Sequence, residues 1–250
     1  MLHRILWAAL VAGIIGGLAT AVLQHFTTTP LILAAEKYEN AGPDTAALHA
    51  PALNAPVLLV LAHGHSEQAA DDDEGWAPAD GLERTLYTSV ATIGTSFGFA
   101  LILLSAMILA DARITARSGL LWGLAGFAAA GLAPALGLAP ELPGSAAADL
   151  GARQLWWAGT AVATAGGLWL ALRIATPVAI AGGIALMLLP HVIGAPHPQA
   201  FTSTAPAELS GHFAAASLVV LAVVWVLAGT LAGWVWQRGE ARQAATAATA

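Results

Sequence analysis

Two histidines separated by one glycine open the most polar stretch of the chain, "AHGHSEQAADDDEGWAP" at 62–78. Glycine lets the backbone turn tightly, so the imidazoles of His63 and His65 can face one ion. Imidazole suits nickel, cobalt, copper and zinc. Glu67 and the acidic run at 71–74 add negative potential, which concentrates cations. The stretch is therefore either a weak metal-collecting loop or an acidic loop that only keeps one face of the protein solvated.

Three further polar stretches interrupt apolar segments next to prolines. Proline lacks a backbone donor and leaves carbonyls unpaired, and in a membrane such breaks are tolerated only inside the protein or beside a wet cavity. Polar residues there often mark substrate pathways, although ordinary helix termination gives the same pattern. The candidate metal ligands are His25, Glu36 and Glu39 in "LQHFTTTPLILAAEKYE", Glu141 in "GLAPALGLAPELPG", and His191 and His197 in "LLPHVIGAPHP".

Glu141, His191 and His197 are expected to converge on one water-filled vestibule and to offer mixed nitrogen and oxygen ligands to a hydrated divalent ion. A transport site must release its ion, so three or fewer protein ligands are expected. Histidines at the ends of different helices could instead ligate haem, and this alternative stays open.

The composition defines the class of protein that must hold these residues. Of the 250 residues, 58% are hydrophobic and only 10% are charged, with a mean hydropathy of +0.72. Soluble domains carry about 25% charged residues. Long continuous apolar runs favour membrane-spanning helices over a barrel. The chain has no cysteine and a net charge of −6, which excludes thiolate metal sites and argues against nucleic-acid binding.

We predict an all-α polytopic membrane protein with about six transmembrane helices, forming a single transmembrane domain over 1–250. A long external loop at 37–84 joins the first two helices, and a cytoplasmic tail occupies 239–250. The first apolar segment could also be a signal peptide, although no clear cleavage site follows it. The six apolar segments are 5–26, 86–110, 120–138, 155–172, 174–193 and 213–236, of which the fifth is bracketed by prolines.

Arginine and lysine set the orientation. With the N-terminus in the cytoplasm, six of the nine basic residues lie inside. Every acid except Asp111 and Glu240 then lies outside, as does every histidine except His3. Because acids contribute little to orientation, this segregation is an independent sign that cations arrive on the external face. The localisation that follows is the cell inner membrane, with both termini cytoplasmic.

Motifs for other functions are absent from the sequence. It has no phosphate-binding G-x-x-x-x-G-K-[ST], no G-x-S-x-G and no H-E-x-x-H, so neither ATP binding nor enzyme activity is predicted. No permanently bound cofactor is expected. Four G-x-x-x-G pairs, which let helices approach closely, are packing signals: 13/17, 94/98, 119/123 and 229/233.

The order and spacing of four stretches resemble the CbtA family, a group of probable cobalt transporter subunits. These stretches are the N-terminal span running into "TPLILAAEKYE", then "GLAPALGLAPELPG", "RQLWWAGTAVATAGGL" and "LLPHVIGAPHP". They cover nearly the whole chain except the acidic loop and the C-terminal "ARQAATAATA".

The resemblance implies transition-metal uptake, with cobalt as the presumed ion and cobalamin biosynthesis as its use. Nickel is the close alternative because the two ions are neighbours in ligand preference. It also implies a partner, CbtB, which is a small single-span subunit with its own histidines. By position it points to Glu36, Glu39, Glu141, His191 and His197, and it does not cover His63 and His65. The family is usually described with about five spans, one fewer than counted here. An accessory membrane protein without transport of its own, or a membrane-embedded haem protein or enzyme, is the alternative.

Overall fold

The computed structural model describes residues 1–40, 78–79 and 81–249. The helices are α1 (Leu2–Phe26), α2 (Thr28–Asn40), α3 (Leu82–Leu109), α4 (Ala116–Phe127), α5 (Leu150–Trp169), α6 (Pro177–Ile193) and α7 (Ala207–Ala248). Two of them continue past their regular part into a π-helical turn, α4 through Ala128–Leu132 to the last turn Ala133–Ala135, and α5 through Leu170–Ile174.

Five of these helices are long and apolar enough to cross a membrane, which confirms the prediction of an all-α, multi-pass membrane protein. They are Leu2–Phe26, Leu82–Leu109, Ala116–Ala135, Leu150–Ile174 and Ala207–Ala248. The fifth predicted segment forms α6, which is apolar but has only 17 residues. Helix α2 was not anticipated. It forms despite Pro30 because a proline in the first turn of a helix removes no intrahelical hydrogen bond.

Small residues hold α1, α3, α4 and α7 together as the core of the bundle. A Cβ on Gly13 would lie 2.7 Å from Cβ of Phe97, and one on Gly17 would lie 2.5 Å from Cα of Ile93, so α1 and α3 touch backbone to backbone. Gly119 meets Gly229 in the same way between α4 and α7. Three of the four glycine pairs thus pack as expected. The pair at 94/98 faces open space.

Helices α5 and α6 form an antiparallel hairpin beside this core. Gly167 and Gly183 face each other, and a Cβ on either would lie 2.5 Å from the carbonyl oxygen of the other. The indole of Trp156 donates from Nε1 to the carbonyl oxygen of Pro190 at 3.2 Å, which fixes the end of α6 against the start of α5. Helix α6 therefore returns along the length of α5.

The bundle has two chemically different ends. At the first, called here the Arg4 end, the start of α1 meets the later part of α7. Arg4 and Glu240 form an ion pair at 3.3 Å, and the guanidinium of Arg4 lies 4.2 Å from the ring centroid of Trp236. Trp236 donates from Nε1 to Glu240 at 2.8 Å. The beginning of α1 and this part of α7 therefore lie at the same end of the bundle.

The opposite end, called here the Glu36 end, is covered by α2 and two loops. Ala35 of α2 is buried against Leu142 and Ala205, which lie in the loops after α4 and after α6. The two loops also pair through their backbones, since Ala146 donates to the carbonyl of Thr202 at 2.8 Å. This apolar contact positions α2 across the bundle and brings the neighbouring Glu36 towards α3.

Candidate functional site

A cavity of about 250 Å³ lies at the Glu36 end, between the end of α1, the start of α2 and the start of α3. We call it the Gln24 cavity. Most of its lining surface is apolar, but the lining also includes an imidazole, an amide, a guanidinium and several hydroxyls. These polar side chains are Gln24, His25, Thr28, Thr29, Arg84, Thr85, Thr88 and Ser89.

The cavity exists because α1 stops and the chain turns at Thr27. Its hydroxyl donates to the carbonyl of Leu23 at 2.7 Å, and its amide donates to the carbonyl of Gln24 at 3.2 Å. A side chain that binds the carbonyl four residues back bends or ends a helix in this way. The turn leaves the last residues of α1 and the first of α2 facing the same space.

One face of α3 carries a row of hydroxyls into the bundle. Thr85, Ser89 and Thr92 follow at helical spacing, so they lie on one face. Each hydroxyl donates to the carbonyl four residues earlier in its own helix, at 2.8, 2.7 and 2.8 Å respectively. Thr92 also contacts Oε1 of Gln24 at 2.8 Å. One turn deeper, the hydroxyl of Ser96 is fully buried and has no hydrogen-bond partner among the described residues.

An ion pair joins α2 to α3 at the rim of the Gln24 cavity. Glu36 binds the guanidinium of Arg84 with both carboxylate oxygens, one of them at 3.0 Å from Nη1. Both side chains are partly shielded from solvent. A bidentate pair of this kind fixes two helices in one geometry and offsets the positive charge of Arg84 beside the cavity.

A second cluster of polar side chains lies at the Glu36 end of the bundle, beside the start of α5. Glu141 accepts from Nη2 of Arg153 at 2.8 Å, and one turn further along α5 the ring of Trp156 packs edge to face against His191, with centroids 5.8 Å apart. We call these four residues the Trp156 corner. Arg153 and Trp156 share one face of α5, so Glu141 and His191 are held beside the same helix.

The remaining predicted ligands are separate from one another. His197 packs near Phe201 at 5.8 Å between centroids, and His25 lies against Phe26 at 5.2 Å. Glu39 is exposed near the end of α2. His63 and His65 lie outside the described residues.

The expected convergence of Glu141, His191 and His197 is not seen. Within the ranges that the structure describes, no three histidine, aspartate or glutamate side chains come close enough to hold one metal ion. The physical reason is that two of the three side chains already have partners, Arg153 for the carboxylate and Trp156 for His191. A metal would have to displace these contacts. Their role as ligands stays a prediction.

Two features of this end were missed by sequence reasoning. The hydroxyl row of α3 was readable, because polar residues at 85, 89 and 92 interrupt an otherwise apolar helix on one face. Trp156, the first of two adjacent tryptophans in α5, packs into the bundle against Gly137, Pro190 and His191. Its neighbour Trp157 is the more exposed of the two, and no feature of the dipeptide distinguishes them in the sequence.

A larger cavity of about 450 Å³ lies between α3, α4 and α5. Its lining is almost entirely alanine, leucine and tryptophan, with Arg173 at the Arg4 end. A charged or hydrated ion gains no hydrogen bonds from such a surface. At the Glu36 end, the polar side chains that could contact an ion therefore lie in the Gln24 cavity and the Trp156 corner rather than in this larger cavity.

Fold and site together define a multi-pass helical membrane protein with a partly polar cavity at one end of its bundle. The model of the CbtA family, described as a probable cobalt transporter subunit, matches residues 2–237. This match covers nearly the full chain, so the chain belongs to the CbtA family, and the resemblance drawn from its sequence is confirmed. No curated protein and no solved structure matches the chain significantly.

Proposed function

We propose that this chain is the polytopic subunit of a cobalt uptake transporter in the cytoplasmic membrane, and that it admits divalent metal from the external face. Family membership supports cobalt transport, and the Gln24 cavity supports the entry point. The observation that carries the proposal is this cavity, since its lining sets an imidazole, an amide and several hydroxyls beside open space at one end of the bundle. Nickel is the close alternative cargo because Co²⁺ and Ni²⁺ are neighbours in ligand preference.

The orientation follows from charge. Arginines cluster at the Arg4 end, which would be cytoplasmic, whereas the Glu36 end would face outward. Helix α6 supports six crossings because it runs back beside α5. At about 1.5 Å per residue its 17 residues span about 25 Å, close to the hydrocarbon thickness if the bilayer thins locally. The pairing of Arg4 with Glu240 also agrees with both termini lying on one side.

The other predicted ligands take supporting roles in this proposal. His63 and His65, with the acids that follow them, would collect metal at low concentration. Glu39 would add negative charge outside the cavity, and Glu141, His191 and His197 would contact the ion only weakly and separately, without being required for uptake. A transporter subunit requires partners, and we propose a CbtB-like, small, single-span subunit with histidines. The transported metal would serve cobalamin biosynthesis.

Metal accumulation in cells tests the function. Cells expressing this chain with its partner should accumulate Co²⁺ faster than cells with an empty vector, and the ratio of Co²⁺ to Ni²⁺ measures selectivity. Cells expressing the chain alone separate a permease from an accessory protein. If neither metal accumulates with both subunits present in the membrane, the proposal is wrong.

Reporter fusions test the topology. A reporter that works only in the cytoplasm should be active after Ala250, and one that works only outside should be active when inserted between residues 41 and 77. Activity of the external reporter after Ala250 would contradict six crossings and indicate five.

A further inference from the structure

We propose that the Gln24 cavity holds a divalent cation together with its water shell, through hydrogen bonds from metal-bound water to protein acceptors. The inference rests on the proposed function and names how its entry site recognises the ion. Four features support it. The hydroxyls donate away from the cavity, the amide of Gln24 can offer an acceptor, Glu36 offsets the charge of Arg84, and the cavity is large enough for a hydrated ion.

The hydroxyls of α3 present acceptors to the cavity. Thr85 and Ser89 each use their one proton within the helix, donating to Gly81 and Thr85 carbonyls at 2.8 and 2.7 Å. A hydroxyl has one proton and two lone pairs. What remains for the cavity is oxygen lone pairs, which accept hydrogen bonds. Water bound to a metal ion donates such bonds.

Gln24 adds a further acceptor. Oγ1 of Thr92 lies 2.8 Å from both Oε1 of Gln24 and the carbonyl oxygen of Thr88, yet one proton cannot serve both. The oxygen and nitrogen of an amide are assigned from the network around them. With the amide turned over, its NH₂ donates to Thr92 while Thr92 donates to the Thr88 carbonyl, and Oε1 is released from Thr92 as an acceptor on a side chain that lines the cavity.

Direct chelation has little to offer in this cavity. Among the described residues no carboxylate lines it, and Glu36 is bound to Arg84 at the rim. Among the described residues no three potential ligands surround a common point. His25 alone offers a nitrogen that can replace one water, and imidazole favours cobalt and nickel over magnesium and calcium.

The volume suits a hydrated ion. Six waters at about 30 Å³ each occupy about 180 Å³, which is less than the 250 Å³ of the cavity. A naked ion held by one imidazole would leave most of this space unused. Retention of water also keeps binding weak enough for the ion to leave again, as conduction requires.

Hexaamminecobalt(III) tests the proposal directly, because its six ammonia ligands do not exchange and it can bind only through hydrogen bonds and charge. Binding of this ion and of Co²⁺ would be measured by calorimetry on the purified full chain in lipid nanodiscs. The test variant is Thr85→Val with Ser89→Ala, which removes two acceptors without adding bulk. Its matched control is Thr95→Val on the same helix, because Thr95 makes the same type of bond, to the Ala91 carbonyl at 2.9 Å, but is absent from the cavity lining.

We expect the double variant to bind both ions about tenfold more weakly, the effect of two lost hydrogen bonds. Thr95→Val should bind them like the unchanged chain. Equal affinity of the double variant and the control, or no binding of either ion by the unchanged chain, would overturn the proposal. Loss of ion binding in the double variant would support cation binding in the Gln24 cavity even if cells accumulated no cobalt. In that case only the proposed transport function would be wrong.

Discussion

The Gln24 cavity and the Trp156 corner carry the same kinds of residue at the same end of the bundle, yet their polar groups are used differently. In the cavity, hydroxyls donate to backbone carbonyls of α3 but keep oxygen lone pairs for the open space, and Glu36 at the rim compensates an arginine. In the corner, Glu141 binds Arg153, and Trp156 contacts both His191 and the carbonyl of Pro190. A side chain packed against a protein partner stabilises the fold, whereas a hydroxyl that lines a cavity still offers its lone pairs to a ligand.

The largest loss of folded protein and of uptake is expected from a bulky side chain that forces α1 and α3 apart next to the cavity. Gly17→Leu places its Cβ on the backbone of Ile93, so the two helices must separate. Overpacking of this kind costs about 1–3 kcal/mol or more. We expect the folded protein and Co²⁺ uptake to be mostly lost. Fluorescence-detected size-exclusion chromatography in detergent measures the folded fraction.

The matched control for this change is Gly159→Leu, on α5 one turn after the Trp156 corner. No atom lies within 4 Å of a Cβ at that position, so the protein should fold and transport normally. Equal damage from both substitutions would show that the cavity helices are no more tightly packed than those of the corner.

The two histidines distinguish the regions most directly. His25→Ala should raise the external Co²⁺ concentration at half-maximal uptake by about tenfold, since losses of about this size follow removal of groups that support a metal site. His191→Ala should change it less than twofold, because His191 packs on Trp156. Uptake that is abolished by His191→Ala and unaffected by His25→Ala would reverse the assignment and make the corner the binding region.

Substitutions of the two carboxylates, Glu36 and Glu141, should change Co²⁺ uptake by amounts that differ less than those of the two histidines. Glu36→Gln removes the negative charge that offsets Arg84 beside the cavity, so cation entry should slow by a few-fold, with a larger effect at low ionic strength. Glu141→Gln breaks a partly exposed ion pair worth about 0–1 kcal/mol and should leave uptake unchanged. The pair of variants is compared by initial rates of Co²⁺ uptake at two salt concentrations. Equal initial rates for Glu36→Gln and Glu141→Gln would show that the negative charge of Glu36 does not promote cation entry.

The smallest effect is expected at Trp156. Trp156→Phe keeps the ring against His191 but removes the bond from Nε1 to the carbonyl of Pro190, at a cost of about 1 kcal/mol. Thermal stability in detergent should fall by a few degrees while uptake remains normal. A loss of uptake at unchanged stability would mean that the corner takes part in transport.

Much of the fold was readable from the sequence because membrane helices follow from the length and hydropathy of each segment. The apolar parts of α1, α3 and α7 follow from these properties alone, whereas α7 also extends at both ends beyond the predicted segment and continues through the predicted tail. Helix α2 was missed because Pro30 and three threonines are typical of a helix end, and only the burial of Ala35 against Leu142 and Ala205 explains the short helix that follows.

The candidate site was predictable only in part. Placing His25, His191 and Glu141 at one end required only topology, since the two histidines lie in the last turns of α1 and α6 and Glu141 follows α4. Which of them face open space depends on tertiary partners such as Arg153 and Trp156, and pairwise contacts between distant segments have no signal in a single sequence. The hydroxyl row of α3 was visible in the sequence through its helical spacing. It was not predicted as part of a site because the site was predicted from metal ligands, and hydroxyls were not among them.

The initial rate of Co²⁺ uptake as a function of external Co²⁺ tests the central claim most directly, in cells that contain the partner subunit and equal amounts of each variant. The account predicts that Thr85→Val with Ser89→Ala shifts the half-saturating concentration upward by about tenfold, while Thr95→Val follows the unchanged chain. A double variant whose curve coincides with that of the unchanged chain would contradict entry of the metal through the Gln24 cavity.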